Sequence, residues 1–444
     1  MALHPGDMQA GNTAGIGSSG GMARDDMAPV TAPIATPPAA TSPTRRLFRR
    51  VADRTALRLG RAVLAYLGIM VGIITLAPFR FASAPVHGLS FVWTWSDLVL
   101  NLVMFAPVGF VYQLTRPRGV APDLGRVFLL GLAASSAIEV AQLFSPLRYP
   151  SLFDLATNSS GAVLGALAYT RLSQRVPGHA AVQRLALELP LMGLVYLLVP
   201  LCWLIGFGSE EESRRVLVLG PALMAGGILG TVHGAVVSRT GPGWWLAATS
   251  LGWSLVALVP GGRGDLPLVA ATSALVVAVA VSCHLATRRV LQGAPAGGSR
   301  RFEVPTLRRV LPVFAAYLTL SALWPLGDAD GQWRGTLALT LADATLTQGT
   351  VFRALEQVAA FTLVGYMAAE FRGRDRRRQG AVMLQVVAWC AVVSALLQAA
   401  RGFQPATGAS LLLFLLTQVA SMTGHQLYVL QRDHVRALLQ RQRA

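Results

Sequence analysis

Seven polar residues stand where an apolar chain should exclude them. Between Trp95 and Tyr169, three strongly apolar segments carry in turn Asp97 and Asn101, Glu139 and Gln142, and Asp154 and Asn158, with Arg148 in the short turn before the last pair. Residues three or four apart share a helix face, so each pair predicts a polar ridge on an otherwise apolar helix. Three carboxylates beside amides and one guanidinium can hold a polar head group, work as general acid and base, or carry protons. The same residues can also act as caps and structural glue, with Arg148 neutralising the acids. Ser135 and Ser136 lie about one turn from Glu139, but no His stands near to activate them, and there is no phosphate loop or metal-ligand cluster. No catalytic residue, cofactor or metal is therefore expected.

The elements that would position these groups are membrane helices. Of 444 residues, 53% are hydrophobic and 13% charged, with a mean hydropathy of +0.51; a soluble domain carries roughly 25% charged residues. Counting apolar runs of about 20 residues predicts twelve spans, near 62–79, 96–115, 126–145, 152–171, 185–207, 215–237, 243–260, 266–285, 309–325, 352–371, 380–400 and 407–430. The expected fold is all-α, a polytopic helix bundle in three groups of four. The net charge of +17 comes from Arg alone, and 30 of the 38 arginines fall in alternate connecting segments. That is the positive-inside pattern. It predicts that both termini are cytoplasmic, and it removes nucleic acid as the reason for the charge.

On that topology the start of the second span, the end of the third and the start of the fourth share the outer side. At about 1.5 Å per residue, Asn101, Glu139, Gln142 and Asn158 lie roughly 5 to 10 Å deep, with Asp97, Arg148 and Asp154 at the rim. Three acids facing lipid would cost several kcal/mol together. An outward-facing pocket in which they converge is expected instead. Pro107 removes a backbone hydrogen bond inside the second span and should bend it. Gly109, Gly161 and Gly165 allow close helix approach, the last two as a Gly-x-x-x-Gly pair.

Residues 1–44, rich in Gly, Ala, Pro, Ser and Thr, read as a disordered cytoplasmic tail, with the first span as an uncleaved signal. Residues 45–175 form the four-helix domain that holds the polar set, 176–290 a four-helix scaffold, 291–305 a cytoplasmic linker, and 306–444 a last four-helix region. Cys202, Cys283 and Cys390 sit in apolar segments and predict no disulfide. His233, His284 and His425 look isolated, Trp244, Trp245 and Trp253 read as interfacial aromatics, and Glu210–Glu212 with Arg214 and Arg215 reads as a solvated outer loop. A gapless slide of 256 residues lays 97–169 on 353–425, matching Phe105 to Phe361, Gly109 to Gly365 and Gln142 to Gln398. It sets Arg353 against Asp97, Gln357 against Asn101, Ala395 against Glu139, Gln404 against Arg148, Ser410 against Asp154 and Phe414 against Asn158. If the last region is a degenerate copy, the chemistry is expected in the first.

The polar set also carries a family likeness. Asp97-x-x-x-Asn101 followed by Phe105-x-Pro107-x-Gly109, then Ser135-x-x-x-Glu139-x-x-Gln142-x-Phe144, then Arg148, Asp154 and Asn158-x-x-Gly161 resembles the VanZ-like family of bacterial membrane proteins, over about residues 62–171. That family is named after an accessory teicoplanin-resistance protein. The resemblance implies a multi-pass protein of the bacterial cytoplasmic membrane in a cell-envelope setting, and supplies no activity. Three readings follow. A binding or accessory protein would hold a membrane lipid, a lipid-linked cell-wall precursor or an amphipathic antibiotic. An enzyme would use carboxylate acid and base on a lipid-linked substrate. A secondary transporter would pass protons through the acids, although the charges lie in one layer with no matching inner group. The oligomeric state is not encoded in any feature of the sequence.

Overall fold

The computed structural model describes residues 43–443 apart from segments 92–93, 117–122, 176–189, 210–211, 238–243, 263–264, 293–302, 327–330, 338–346, 373–378 and 406–407. Nearly all of the expected tail and linker, and Asp328, Asp330 and Asp343 of the long loop after the ninth span, lie outside the described residues. Among the described residues there are twelve α-helices: α1 (Pro43–Leu76), α2 (Trp95–Leu114), α3 (Leu124–Leu143), α4 (Leu152–Arg175), α5 (Pro190–Phe207), α6 (Leu219–Val232), α7 (Trp244–Leu258), α8 (Leu266–Gln292), α9 (Glu303–Leu323), α10 (Gln348–Arg372), α11 (Gln379–Arg401) and α12 (Leu411–Arg443). Each covers most of one expected span. By length and apolarity six stretches among the described residues are fit to cross a membrane, namely α1 from Arg54, α2, α3, α6 with its leading turn, α8 and α11 from Gly380, and α5 and α7 are shorter apolar helices. Large apolar side chains such as Leu129, Leu384, Leu396 and Val419 point outwards, as lipid-facing residues do.

Local chemistry sets the helix starts. The Thr94 hydroxyl accepts the Asp97 N–H and donates to its carboxylate at 2.6 Å, an N-cap that opens α2. Asp123 accepts the Arg126 N–H and opens α3. Helix α2 runs through Pro107 without a break in its assignment. Gly109, Gly161 and Gly165 do what their size predicted. A Cβ on them would fall on the carbonyls of Ala162, Leu102 and Ala106 respectively, so α2 and α4 touch backbone to backbone.

One core runs from Tyr66 and Phe105 through Trp203 and Ile228 to Phe361 and Tyr428. Helix α1 lies along α12, and α5 against α10. Thr55, early in α1, hydrogen-bonds His434, late in α12, and Gly193, early in α5, meets Tyr366 and Gln431 near the ends of α10 and α12. Odd-numbered helices therefore start, and even-numbered ones end, at one end of the bundle. The opposite end holds the turn between α3 and α4 and the turn between α11 and α12.

Candidate functional site

At that opposite end the acid and amide ridges of α2, α3 and α4 meet. Asn101 Nδ2 donates to Asp154 Oδ1 at 2.7 Å, and Asp97 is close enough to repel the Asp154 carboxylate. Deeper, the Asn158 amide donates to Ser135 Oγ at 2.9 Å, and that hydroxyl donates to the Asp154 carbonyl at 3.3 Å. Glu139 accepts the Ser151 N–H at 2.8 Å and so fixes the turn that begins α4. Beside it, Ser90 and Ser151 form a single parallel β-bridge. The set divides by depth. Ser135, Glu139 and Asn158 are sealed at 0%, 3% and 3% exposure, whereas Asp97, Asn101 and Asp154 are half-buried.

Two of the seven residues turn away from the acids. Gln142 Nε2 donates to Thr75 O at 3.0 Å. The Arg148 guanidinium donates to Ile74 O and Ala77 O at 3.1 to 3.3 Å, and its burial lowers its pKa from the ordinary arginine value. The last carbonyls of α1 have no partners within the helix, and a cation there is favoured. Neutralisation of Asp97 or Asp154 by Arg148, one of the alternatives open in the sequence, is thus replaced by a helix cap: no hydrogen bond from Arg148 to a carboxylate occurs among the described residues. Nor is Ser135 an activated nucleophile, because its hydroxyl is spent between an amide and a carbonyl.

Residues 52–174 match the family model of VanZ/LLP1. The chain carries a VanZ-like domain. It takes in nearly all of α1 to α4 and every member of the acid–amide set. No curated protein and no solved structure matches the chain. The likeness to that family covers residues 52–174, and the apolar helices along the rest of the chain make it a multi-pass membrane protein.

Outside the match, α9 to α12 repeat the contacts of the VanZ-like domain. Gly365 and Gly424 bring α10 and α12 together over the carbonyls of Ser421 and Thr362, as Gly109 and Gly165 do for α2 and α4. Ser394 and Thr417 share a hydrogen bond of 2.7 Å, where Ser135 and Asn158 stand. Gln398 Oε1 accepts the Ser410 N–H at 3.1 Å, where Glu139 accepts Ser151. Gly335–Thr336 pairs in parallel with Ala409–Ser410, where Ser90 meets Ser151. Gln404 Nε2 donates to Leu323 O at 2.9 Å and caps α9, as Arg148 caps α1.

The gapless slide holds through α10 and again at Gln404, which lies 256 residues beyond Arg148, but not in the rest of α11 and α12. Gly365 lies 256 residues beyond Gly109, but Ser394, Gln398, Ser410 and Thr417 lie 259 beyond their counterparts. Three extra residues thus enter between Gly365 and Ser394. Glu139 therefore corresponds to Gln398 rather than Ala395, Asp154 to Leu413 rather than Ser410, Asn158 to Thr417 rather than Phe414, and Gln142 to Arg401 rather than Gln398.

A second polar cluster escaped sequence reasoning. Arg214 Nη2 meets Glu356 Oε2 at 2.7 Å, with side chains 8% and 1% exposed, and the Tyr317 hydroxyl donates to Glu356 Oε1 at 2.9 Å. Arg214 is thus a buried ion-pair partner rather than part of a solvated loop; Glu210 and Glu211 lie outside the described residues. The signal was present. Glu356 is an acid in the apolar run of α10, as Glu139 is in α3, but the slide had marked that region as blank. His233 and His284 are also not isolated, since their Nδ1 atoms approach to 3.2 Å. Trp253 is buried rather than interfacial and donates to Val195 O. His425 is buried, and its Nδ1 has no partner among the described residues.

Proposed function

We propose that the chain is an accessory or binding protein of the bacterial envelope. In this reading the rim of the VanZ-like domain faces outwards from the cytoplasmic membrane and holds the polar head of an envelope amphiphile, such as a lipid-linked cell-wall precursor or an amphipathic antibiotic. The observation that carries it is the pairing of two half-buried carboxylates, Asp97 and Asp154, with Arg148 committed to the end of α1. A rim with acids and no guanidinium between them favours a head group rich in N–H or O–H donors, or a positively charged one. Asn101 orients Asp154 towards that role. The sealed residues below, Glu139, Ser135 and Asn158, hold the turn that presents the rim.

The test is native mass spectrometry of gently purified wild type beside Asp154→Asn, with co-purified lipids identified. Asn can still accept from Asn101 in place of the carboxylate, so the variant should fold, with a stability change within about 0.5 to 1 kcal/mol. The expected result is a specific amphiphile on the wild type that is lost from the folded variant. The same lipid profile on both proteins would refute a binding role for the rim.

A further inference from the structure

Among the described residues, the buried cluster around Glu356 sets two guanidinium groups, Arg214 and Arg401, beside one carboxylate. Both oxygens of Glu356 are already engaged, one by Arg214 and one by Tyr317. Arg401, at the end of α11 and 8% exposed, lies within electrostatic range of Glu356, Arg214 and Arg353. Its guanidinium makes no hydrogen bond or ion pair to a described residue, and its Nη1 is closed off without a partner. Arg214 Nη1, on a side chain as deeply buried, is in the same condition. Two buried guanidinium N–H edges therefore lack an acceptor among the described residues, where Glu356 is the carboxylate acting on Arg401.

A buried charge without a partner is costly, and a guanidinium fork matches the oxygens of a phosphate or carboxylate. We propose that Arg214 and Arg401 form an anion site for a phosphate-type oxyanion, with Tyr317 and Glu356 holding Arg214 in place. The site lies at the same end of the bundle as the acid–amide rim and is independent of the function proposed for that rim. Arg401 stands where the VanZ-like domain has Gln142, and Arg353 where it has Asp97, so the last four helices offer cationic groups at positions where the first offer an amide and an acid. The oxyanion can come from solution or from the head group of an anionic lipid, since both present the same oxygens.

The test uses the full chain in phosphatidylcholine nanodiscs, with thermal unfolding followed as inorganic phosphate is added, and separately in nanodiscs doped with phosphatidylglycerol. The wild type should be stabilised in at least one arm, because a ligand bound only by the folded state raises the midpoint. A response to phosphate names a free anion, and a response to phosphatidylglycerol alone names a lipid head group. Arg401→Met should abolish the response while leaving the unliganded midpoint equal to or above that of the wild type, since it removes an unbalanced buried charge. Arg401→Lys keeps the charge but not the fork, and should weaken half-saturation by about tenfold; it serves as the test if the Met variant fails to fold. No response of the wild type in either arm would overturn the proposal. An unchanged response in Arg401→Lys, or in a folded Arg401→Met, would overturn it equally.

Discussion

The first four helices and the last four share a skeleton and differ in charge. Both bring their second and fourth helices together on glycines, both join the third and fourth by a hydroxyl contact, and both hold the turn before the fourth with a side-chain oxygen on a serine N–H. What recurs in both groups is what the fold needs. By that standard Glu139 is first a backbone anchor, because Gln398 performs its task without a charge. Asp97, Asp154 and the commitment of Arg148 have no like-charged counterparts, and neither do Arg353, Arg401 and Glu356. We propose that α9 to α12 are a second copy of the VanZ-like domain that kept its anchors and exchanged its rim charges.

The largest effect should come from the shared helix crossing. A Cβ at Gly109 or Gly365 meets backbone carbonyl oxygen rather than a movable side chain. Gly109→Val and Gly365→Val should each cost about 3 kcal/mol or more, and in practice remove folded protein. Expression and a monodisperse elution profile check this. If one variant folds normally and the other does not, the two crossings are not equivalent and the comparison breaks.

Next come the two buried glutamates, which the comparison predicts to be unequal. Glu356→Gln leaves Arg214 with a buried, unbalanced charge and should cost about 3 to 5 kcal/mol. Glu139→Gln reproduces the arrangement already present at Gln398 and should cost under about 1 kcal/mol, since an amide oxygen can still accept the Ser151 N–H. Thermal unfolding of the two variants in one detergent measures the difference. Equal losses would mean that Glu139 carries a charge the fold depends on, and that Gln398 is not its counterpart.

Much of this is legible in the sequence. Acids and amides inside apolar segments are a strong signal, because lipid excludes them unless they meet one another, and helix periodicity and depth bring the three ridges to one end, whereas the particular contact of Asn101 with Asp154 crosses the expected depths. Arg148 was misread because opposite charges suggest pairing, whereas the open carbonyls at the end of α1 compete for a guanidinium and leave no mark in the sequence. The register of the last four helices was misread because an apolar helix matches another almost equally well after a shift of three residues, nearly one turn. Only contacts such as Gln398 to Ser410 fix it. Arg214 needed the fold as well, since its partner Glu356 lies 142 residues away.

The smallest effect concerns the helix ends that Arg148 and Gln404 cap. Arg148 donates three hydrogen bonds, one to Ile74 O in the last turn of α1 and two to Ala77 O just beyond it, and Gln404 donates one to Leu323 O of α9. If capping is the whole task of Arg148, its charge matters less than its reach. Arg148→Ala should then cost about 1 to 3 kcal/mol, and Arg148→Gln roughly half as much, because one amide donor remains to cover a buried carbonyl. The distinction is readable by thermal unfolding together with the lipid profile of each variant. An Arg148→Gln protein that is as stable as expected and keeps its co-purified amphiphile would leave the rim to Asp97, Asn101 and Asp154. One that is equally stable but empty would return Arg148 to the binding site, and would mean that its contact with the end of α1 is given up when a head group arrives.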